Sequence, residues 1–484
     1  MLRITRTILA VLSFAGLSLL FLDTSGILPT HLAFLGKIQL VPALLSGSFT
    51  AVAALLALTL AFGRVYCSVL CPLGVLQDVL ARAGRKGRFR FAPGKTATRV
   101  VAFAIFAGAF FTSIPIVFAL LEPYSSFGRI AADLAAPIWQ SGNNLLALMS
   151  ERAGSFAVAS TPVLQKGLAG LCAAIATFAV IGFLAWKSGR TWCNTICPVG
   201  TALGFLSRIS LFKARIDKHS CVHCGLCAKS CKANCIDADN GDIDSSRCVS
   251  CFNCLGTCRR GALAYAPAWT PRDHAGKETS SPDLARRTLL TALVTVGAPV
   301  MAFAKDRNKP IPALTRKARS ERSTPITPPG STGLKAFTER CTGCQLCVST
   351  CPNLVLSSFD RGEGMLQPVL SFEHGFCRVN CVNCSTVCPT GAIRPITVEE
   401  KSVTQIGRAY INYDACIVSK DNVVCTSCFR HCPPKAITLV GDGEIKTPVV
   451  DNERCTGCGA CEYLCPARPF SAIWVEGNLE HRRV

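Results

Sequence analysis

Apolar residues in this chain gather into long uncharged runs separated by short basic stretches, then thin out in two cysteine-rich tracts. Residues 7–22 (TILAVLSFAGLSLLFL) carry no charge and follow Arg3 and Arg6. No small-x-small cleavage pattern comes after them, which predicts a first membrane span rather than a removable leader. The runs 38–62, 100–121 and 167–186 are each long enough to cross a bilayer. Trp186 and Trp192 flank the end of the last, where an aromatic belt is expected. Within 123–165, AADLAAPIW and NNLLALM predict short interfacial segments. A fifth apolar segment, 288–304, follows Arg286 and Arg287.

The loops orient these spans. Residues 79–99 hold seven Lys/Arg and no acid, whereas 123–165 hold two residues of each sign. Positive charge favours the cytoplasmic side, so the N-terminus, the 63–99 loop and the residues directly after Lys187 are expected there, in a multi-pass inner-membrane protein. Four regions follow: a transmembrane domain over 1–210, a cysteine-rich domain over 211–270, a segment over 271–335 with the fifth span, and a second cysteine-rich domain over 336–484. From 305 to 335 the chain is a Pro/Ser/Thr/Lys-rich linker with little to bury.

Composition agrees with a chain of several spans: half the residues are hydrophobic, 17% are charged, and the mean hydropathy is +0.36. The formal charge of +21 needs a correction. Six four-iron clusters held by thiolates would remove about 12 units and leave about +9. The basic runs lie in loops without companion aromatic platforms, so no nucleic-acid partner is expected.

Of the 30 cysteines, 24 fall into six ferredoxin-type groups. Two are C-x2-C-x2-C-x3-C combs, Cys221, Cys224, Cys227 and Cys231, then Cys248, Cys251, Cys254 and Cys258. In such combs three close thiolates grip one cubane and the fourth reaches to the other. Cys258 is therefore expected with Cys221, Cys224 and Cys227, and Cys231 with Cys248, Cys251 and Cys254. Zinc rarely uses this comb, and a reducing cytoplasm opposes disulfides. The 336–484 domain repeats the theme at 341–352, 377–389, 416–433 and 455–466, the middle two with a widened first gap. Sixteen cysteines there supply four more cubanes. Six [4Fe-4S] clusters in one chain imply a wire for electrons.

Residues 63–74 (GRVYCSVLCPLG) and 189–200 (GRTWCNTICPVG) match at Gly, Arg, aromatic, Cys, Cys, Pro and Gly, each after a span. The membrane part therefore reads as a duplicated two-helix unit. Cysteines four apart share a helical face, so Cys67, Cys71, Cys193 and Cys197 are expected to meet. They would form a further metal or iron–sulfur centre, two redox-active pairs, or a packing feature. Cys172 and Cys235 read as unpaired, with Cys235 a candidate substitute for Cys231. No CxxCH motif or paired span histidines are present, so no haem is expected. His31 and Glu122, on the outer side, are candidate proton acceptors.

The four spans with two CxxxCP motifs, followed by CVHCGLCAKSCKANC and RCVSCFNCLGTC, resemble the NapH-type polyferredoxins, membrane quinol dehydrogenase subunits similar to the C-terminal part of NosR. The 336–484 domain, with ARRTLLTALV before it, is similar to the NapG/MauM ferredoxins, which carry four [4Fe-4S] clusters and a twin-arginine signal. The resemblance implies a fusion: a membrane α-helical bundle of four spans plus a fifth, bearing two α+β bacterial ferredoxin-like domains. It implies oxidation of quinol from the membrane quinone pool, with electrons passing to an exported reductase or cytochrome, and 336–484 on the periplasmic side. It also implies crosswise ligation, with Cys341, Cys344 and Cys347 joined by Cys465, and Cys455, Cys458 and Cys461 by Cys351. Likewise Cys377, Cys381 and Cys384 would take Cys432, and Cys416, Cys425 and Cys428 would take Cys388.

The departures are the missing proline after Cys231 and Cys258 and the internal position of the signal-like segment, where MAFA ending at Ala304 offers a cleavage site. Residues 305–322, with seven Lys/Arg against two acids, pull the other way, toward a carrier with every cluster in the cytoplasm. A redox sensor or assembly factor is a third reading.

Overall fold

The computed structural model describes residues 1–23, 27–84, 89–112, 114–163, 167–269, 317–360, 362 and 364–484. The fifth apolar segment, Arg286, Arg287 and Ala304 lie outside the described residues.

Helix α1 (Leu2–Leu22) starts ahead of its apolar run and takes in Arg3 and Arg6; α2 (Ile27–Lys37) packs back against it. The expected span 38–62 is instead two helices, α3 (Leu40–Leu45) and α4 (Phe49–Phe62). They part at Gly47, whose φ of +73° is a left-handed conformation that glycine enters freely. After α5 (Val65–Val69) and α6 (Pro72–Ala83), the span expected at 100–121 is also divided, into α7 (Thr96–Thr112) and α8 (Pro115–Leu121). Pro115 offers no N–H to the preceding turn and drives Ile114 into an extended conformation. The two expected interfacial segments merge into one helical run: α9 (Pro123–Arg129), a π-helix (Ile130–Ala135) and α10 (Ala136–Arg152). The second repeat closes the bundle with α11 (Leu168–Ser188), α12 (Thr191–Thr195) and α13 (Pro198–Ser207).

Among the described residues, α1 and α11 are the two helices long and apolar enough to cross a membrane. At 21 residues each, they extend about 30 Å. Leu17, Leu20, Leu73 and Ile130 are buried in the bundle core, and Phe21 meets Phe127 edge-on and Tyr124 at a tilt. Trp186 is exposed, whereas Trp192 is buried.

The first cysteine-rich unit holds two small antiparallel pairs, β1 (Phe212–Ile216) with β4 (Leu263–Pro267), and between them β2 (Ile236–Asp237) with β3 (Asp242–Ile243). It docks where the CxxxCP motifs lie. Leu211 N donates to Leu60 O at 2.7 Å, Arg190 N to Lys232 O at 2.8 Å, and Phe62 stacks on Phe212. A Cβ on Gly256 would stand 3.6 Å from the Arg3 guanidinium.

The second unit contains β5 (Leu356–Ser358) with β6 (Pro368–Leu370), β7 (Thr404–Ile411) with β10 (Ile473–Arg483), and β8 (Ile437–Val440) with β9 (Thr447–Val450). Its own core is built from Phe337, Phe372, Ile393 and Val475. This unit docks at the other end of α1. A Cβ on Gly128 would lie 2.2 Å from Cys344 O and 2.9 Å from the Phe21 ring, so only glycine permits that approach. Ala169 N donates to Asp360 Oδ1 at 3.1 Å. The two cysteine-rich units therefore sit at opposite ends of the helix bundle.

One buried carboxylate fastens the first of those ends. Asp78 on α6 accepts from Arg6 at 2.8 Å, from Arg190 through both oxygens at 2.7 Å, and from Lys232 at 2.5 Å. Burial works against its charge, but Arg190, Lys232 and Arg6 together hold the carboxyl far below the usual carboxylate range. Removing one member of such a buried set leaves the others unneutralised and costs about 3–5 kcal/mol. Asp78→Asn is expected to lower the thermal midpoint of the purified protein by that equivalent and to open 211–268 to protease. An unchanged midpoint would show that water already screens the network.

Candidate functional site

The cysteine combs are shaped by the backbone between them. The residue after the second cysteine adopts a left-handed conformation in four combs: Gly225 (φ +71°), Phe252 (φ +60°), Gln345 (φ +64°) and Gly459 (φ +78°). A short helix follows Gly225, Gln345 and Gly459, so in those combs the third and fourth cysteines turn back toward the first two. Gln345 is not glycine, and its amide pins the strained turn by donating to Ser358 Oγ and Leu366 O, both at 2.8 Å.

In the first unit, Cys221, Cys224, Cys227 and Cys258 line one cavity. A second is lined by Cys248, Cys251, Cys254 and Cys231, together with Cys235. Cys235, read from sequence as unpaired, has its sulfur 3.5 Å from that of Cys231. Cys172, by contrast, is exposed on α11.

The second unit groups its cysteines differently from the crosswise expectation. Cys388 lines a cavity with Cys341, Cys344 and Cys347, and Cys465 lines one with Cys416, Cys425 and Cys428. Cys351 lies within the electrostatic reach of Cys377 and Cys384, with Cys381 beside them. Cys432 stands in the same relation to Cys455, Cys458 and Cys461. Consecutive combs thus share their fourth cysteines. The hairpin β5–β6 makes a short connection between the first two combs, and short connections keep sequential elements adjacent.

Three of the cavities lined by such a set of cysteines are alike, each enclosing about 20 Å³. Among the described residues no three His, Cys, Asp or Glu side chains crowd close enough to share a single metal ion. A tetrahedral zinc site would need its sulfurs within roughly 4 Å of one another. Combs of three close cysteines with a fourth from the neighbouring comb fit a multi-iron cluster.

The two CxxxCP stretches form a reciprocal pair. Gly63 and Gly189, with φ of +68° and +70°, end α4 and α11. Cys67 and Cys193 then sit on the short helices α5 and α12. Cys71 and Cys197 do not continue that face: each is extended and caps the next helix, with proline at its first position, where a missing N–H costs nothing. Gly74 and Gly200 let α6 and α13 press onto the preceding turn, since a Cβ there would stand 2.3 Å from Cys67 O and 2.2 Å from Cys193 O. Each arginine crosses to the other repeat. Arg64 donates to Cys193 O at 3.1 Å and to Asn194 Oδ1 at 2.8 Å, while Arg190 donates to Cys67 O at 2.5 Å.

All four thiols are buried. Gln77 Nε2 donates to Cys193 Sγ at 3.2 Å and Gly200 N to Cys197 Sγ at 3.3 Å. Burial, reinforced by the neighbouring cysteines, pushes Cys71 and Cys197 well above the usual thiol range, and burial also raises Cys193. A bound cation would draw the proton from such thiols and make them ligands. Sequence reasoning picked out the repeated Gly and Arg but not their exchange between repeats, nor Gln77.

At the opposite end of the bundle His31 is exposed on α2, whereas Glu122 is buried at the start of α9, where it accepts from Ser125 N. Arg129, which no motif singles out, is fully buried beside it.

Comparison with known proteins follows the same division. A family model described as a 4Fe-4S binding domain matches 45–90 and 168–218, one copy over each CxxxCP repeat. A model described as a 4Fe-4S dicluster domain matches 340–392 and 423–468, two adjacent copies in the second cysteine-rich unit. The methylamine utilization ferredoxin-type protein MauM of Methylobacillus flagellatus is 32% identical over 162 residues, covering 32% of this chain and 69% of the relative. The ferredoxin-type protein NapF of Escherichia coli is 30% identical over 157 residues, covering 32% of this chain and 87% of NapF. The Escherichia coli NapG is 30% identical over 152 residues, covering 29% of this chain and 65% of NapG. No solved structure matches. With cysteine combs closing on shared cavities and these relatives covered over most of their length, the chain is an iron–sulfur electron-transfer protein and belongs to the ferredoxin-type family of MauM, NapF and NapG.

Proposed function

We propose that this chain is a membrane quinol dehydrogenase fused to its own ferredoxin, taking electrons from the quinone pool and delivering them to an exported reductase or cytochrome. The observation that carries this reading is the seating of the two cysteine-rich units at opposite ends of α1, a helix with the length of a bilayer core. The first unit shares its end with the basic 63–99 loop, the cytoplasmic side by charge. The second unit then faces outward, where an exported acceptor can reach it. The broken helices α3–α4 and α7–α8 complete a four-span bundle. Breaks within a membrane are tolerated where neighbouring helices cover the freed backbone groups.

Six [4Fe-4S] clusters supply one-electron chemistry when bound. Cys221, Cys224, Cys227 and Cys258 would hold one, and Cys248, Cys251, Cys254 and Cys231 the next. In the second unit the sets would be Cys341, Cys344, Cys347 and Cys388; Cys377, Cys381, Cys384 and Cys351; Cys416, Cys425, Cys428 and Cys465; and Cys455, Cys458, Cys461 and Cys432. The protein's part is to exclude water from them and fix their order. Cys67, Cys71, Cys193 and Cys197 would hold a further metal or cluster at the cytoplasmic end.

Protease access to a C-terminal tag on the full chain in spheroplasts tests the topology, with 211–268 as the internal control. Digestion of 341–465 in intact spheroplasts is expected; protection until lysis would overturn the transmembrane relay and move the partner to the cytoplasm. Iron and acid-labile sulfide per chain test the ligand sets. Replacing Cys341, Cys344 and Cys347 by Ala is expected to remove one cluster. Adding Cys388→Ser should then remove no more, whereas adding Cys465→Ser should remove a second. The reverse pattern would restore the crosswise scheme.

A further inference from the structure

Twelve residues at the outward end of the bundle concentrate polar groups that the packing leaves unmatched. Arg129 is fully buried, yet among the described residues none of its three guanidinium nitrogens has a hydrogen-bond partner. The Tyr124 hydroxyl, also fully buried, is likewise unpartnered among the described residues. Glu122 is 1% exposed and Asp133 is 5% exposed, and both carboxylates lie within the electrostatic reach of Arg129. Burying a charge without hydrogen bonds is costly, so a fold keeps such a group when something else repays the cost. Asp133 sits on the π-helix, a rare form that often marks functional positions.

Two neighbours define what this region faces. One is the second cysteine-rich unit: the 341–347 loop touches α9 at Gly128, and a Cβ on Gly343 would stand 3.5 Å from the Ala119 methyl on α8. Tyr124 lies within electrostatic reach of both Cys344 and Cys388. The other is the bundle surface at the α7–α8 break, where Phe111, Ile114 and Leu120 are exposed and apolar. A ligand arriving from lipid along that surface reaches buried polar groups next to the first four-cysteine cavity.

The chemistry selects the ligand. Glu122 and Arg129 set an acceptor and a donor of opposite charge side by side, a pair that favours neither a simple anion nor a simple cation. A neutral ring with opposed hydroxyl or carbonyl oxygens suits both kinds of group, donating to a carboxylate at one oxygen and accepting from Arg129 or Tyr124 at the other.

We propose that Glu122, Tyr124 and Arg129 form the headgroup site for a lipid-soluble quinol, with Glu122 accepting from a quinol hydroxyl. This rests on the quinol dehydrogenase reading above and adds where the substrate binds. On oxidation to quinone each quinol loses two O–H protons and two electrons. One proton goes to the Glu122 carboxylate and the other to water at the outer face, while the electrons leave singly to two oxidised iron–sulfur centres.

Binding of a fluorescent hydroxyquinoline N-oxide, a quinol mimic, to the full chain in nanodiscs tests the site by fluorescence quenching, without turnover. Hydrogen bonds to charged groups are strong enough that Glu122→Gln and Arg129→Gln should each weaken binding at least about tenfold. Tyr124→Phe should weaken it less, and Glu151→Gln, on an exposed residue of α10, should leave it unchanged. Iron and sulfide content report whether each variant is intact; if Arg129→Gln loses its clusters, Glu122→Gln and Tyr124→Phe decide. Wild-type affinity in those two variants would overturn this site while leaving the dehydrogenase reading standing. Failure of the wild type both to bind the mimic and to bleach with a quinol would overturn the dehydrogenase reading itself.

Discussion

Asp78 gathers three cations in a setting with little water, and each comes from a different part of the chain. Arg6 belongs to the first helix, Arg190 to the second CxxxCP repeat, and Lys232 to the first cysteine-rich unit. A buried charge set of this kind adds little net stability compared with a well-packed apolar alternative. Its effect is on geometry. With one carboxylate satisfied by three donors, α1, α6, the second repeat and the ferredoxin unit have a single mutual arrangement, and the cavities at that end inherit their positions from it.

The other end is arranged by absence of side chains. Gly128, Gly167 and Gly170 face the second unit so closely that a methyl group at any of them would collide with it. Charge fixes one junction and close backbone contact fixes the other. The electrostatic junction depends on staying dry, while the glycine junction depends on shape, with the Ala169 N–Asp360 Oδ1 hydrogen bond beside it.

Much of this was legible beforehand, for reasons that differ by residue type. Cysteine combs are visible because iron chemistry demands a fixed spacing, and the repeated Gly-Arg-aromatic-Cys pattern is visible because both copies keep it. Long apolar runs revealed α1 and α11, but composition does not show where a run breaks: Gly47 and Pro115 divide two of them. In the second unit the fourth cysteines lie nearest consecutive combs rather than crosswise ones, a grouping spacing does not show, because it specifies three ligands of each cubane and leaves the fourth to tertiary structure. Arg129 was illegible altogether. An arginine in a loop reads as solvated, and only packing reveals that it is enclosed.

The exchange of arginines between the two repeats has a consequence for how the protein is made. Arg64 closes onto Cys193 and Asn194, which lie 129 and 130 residues further along the chain. At ribosomal rates of about 5–20 residues per second, roughly ten seconds pass between their appearances. Through that interval the first repeat waits with its arginine unanswered and Cys67 and Cys71 not yet covered by the second. Arrival of the second repeat brings Arg190 to a Cys67 carbonyl already in place, and both halves shut together. Translation itself thus provides a period of access to the thiols that the finished protein no longer offers.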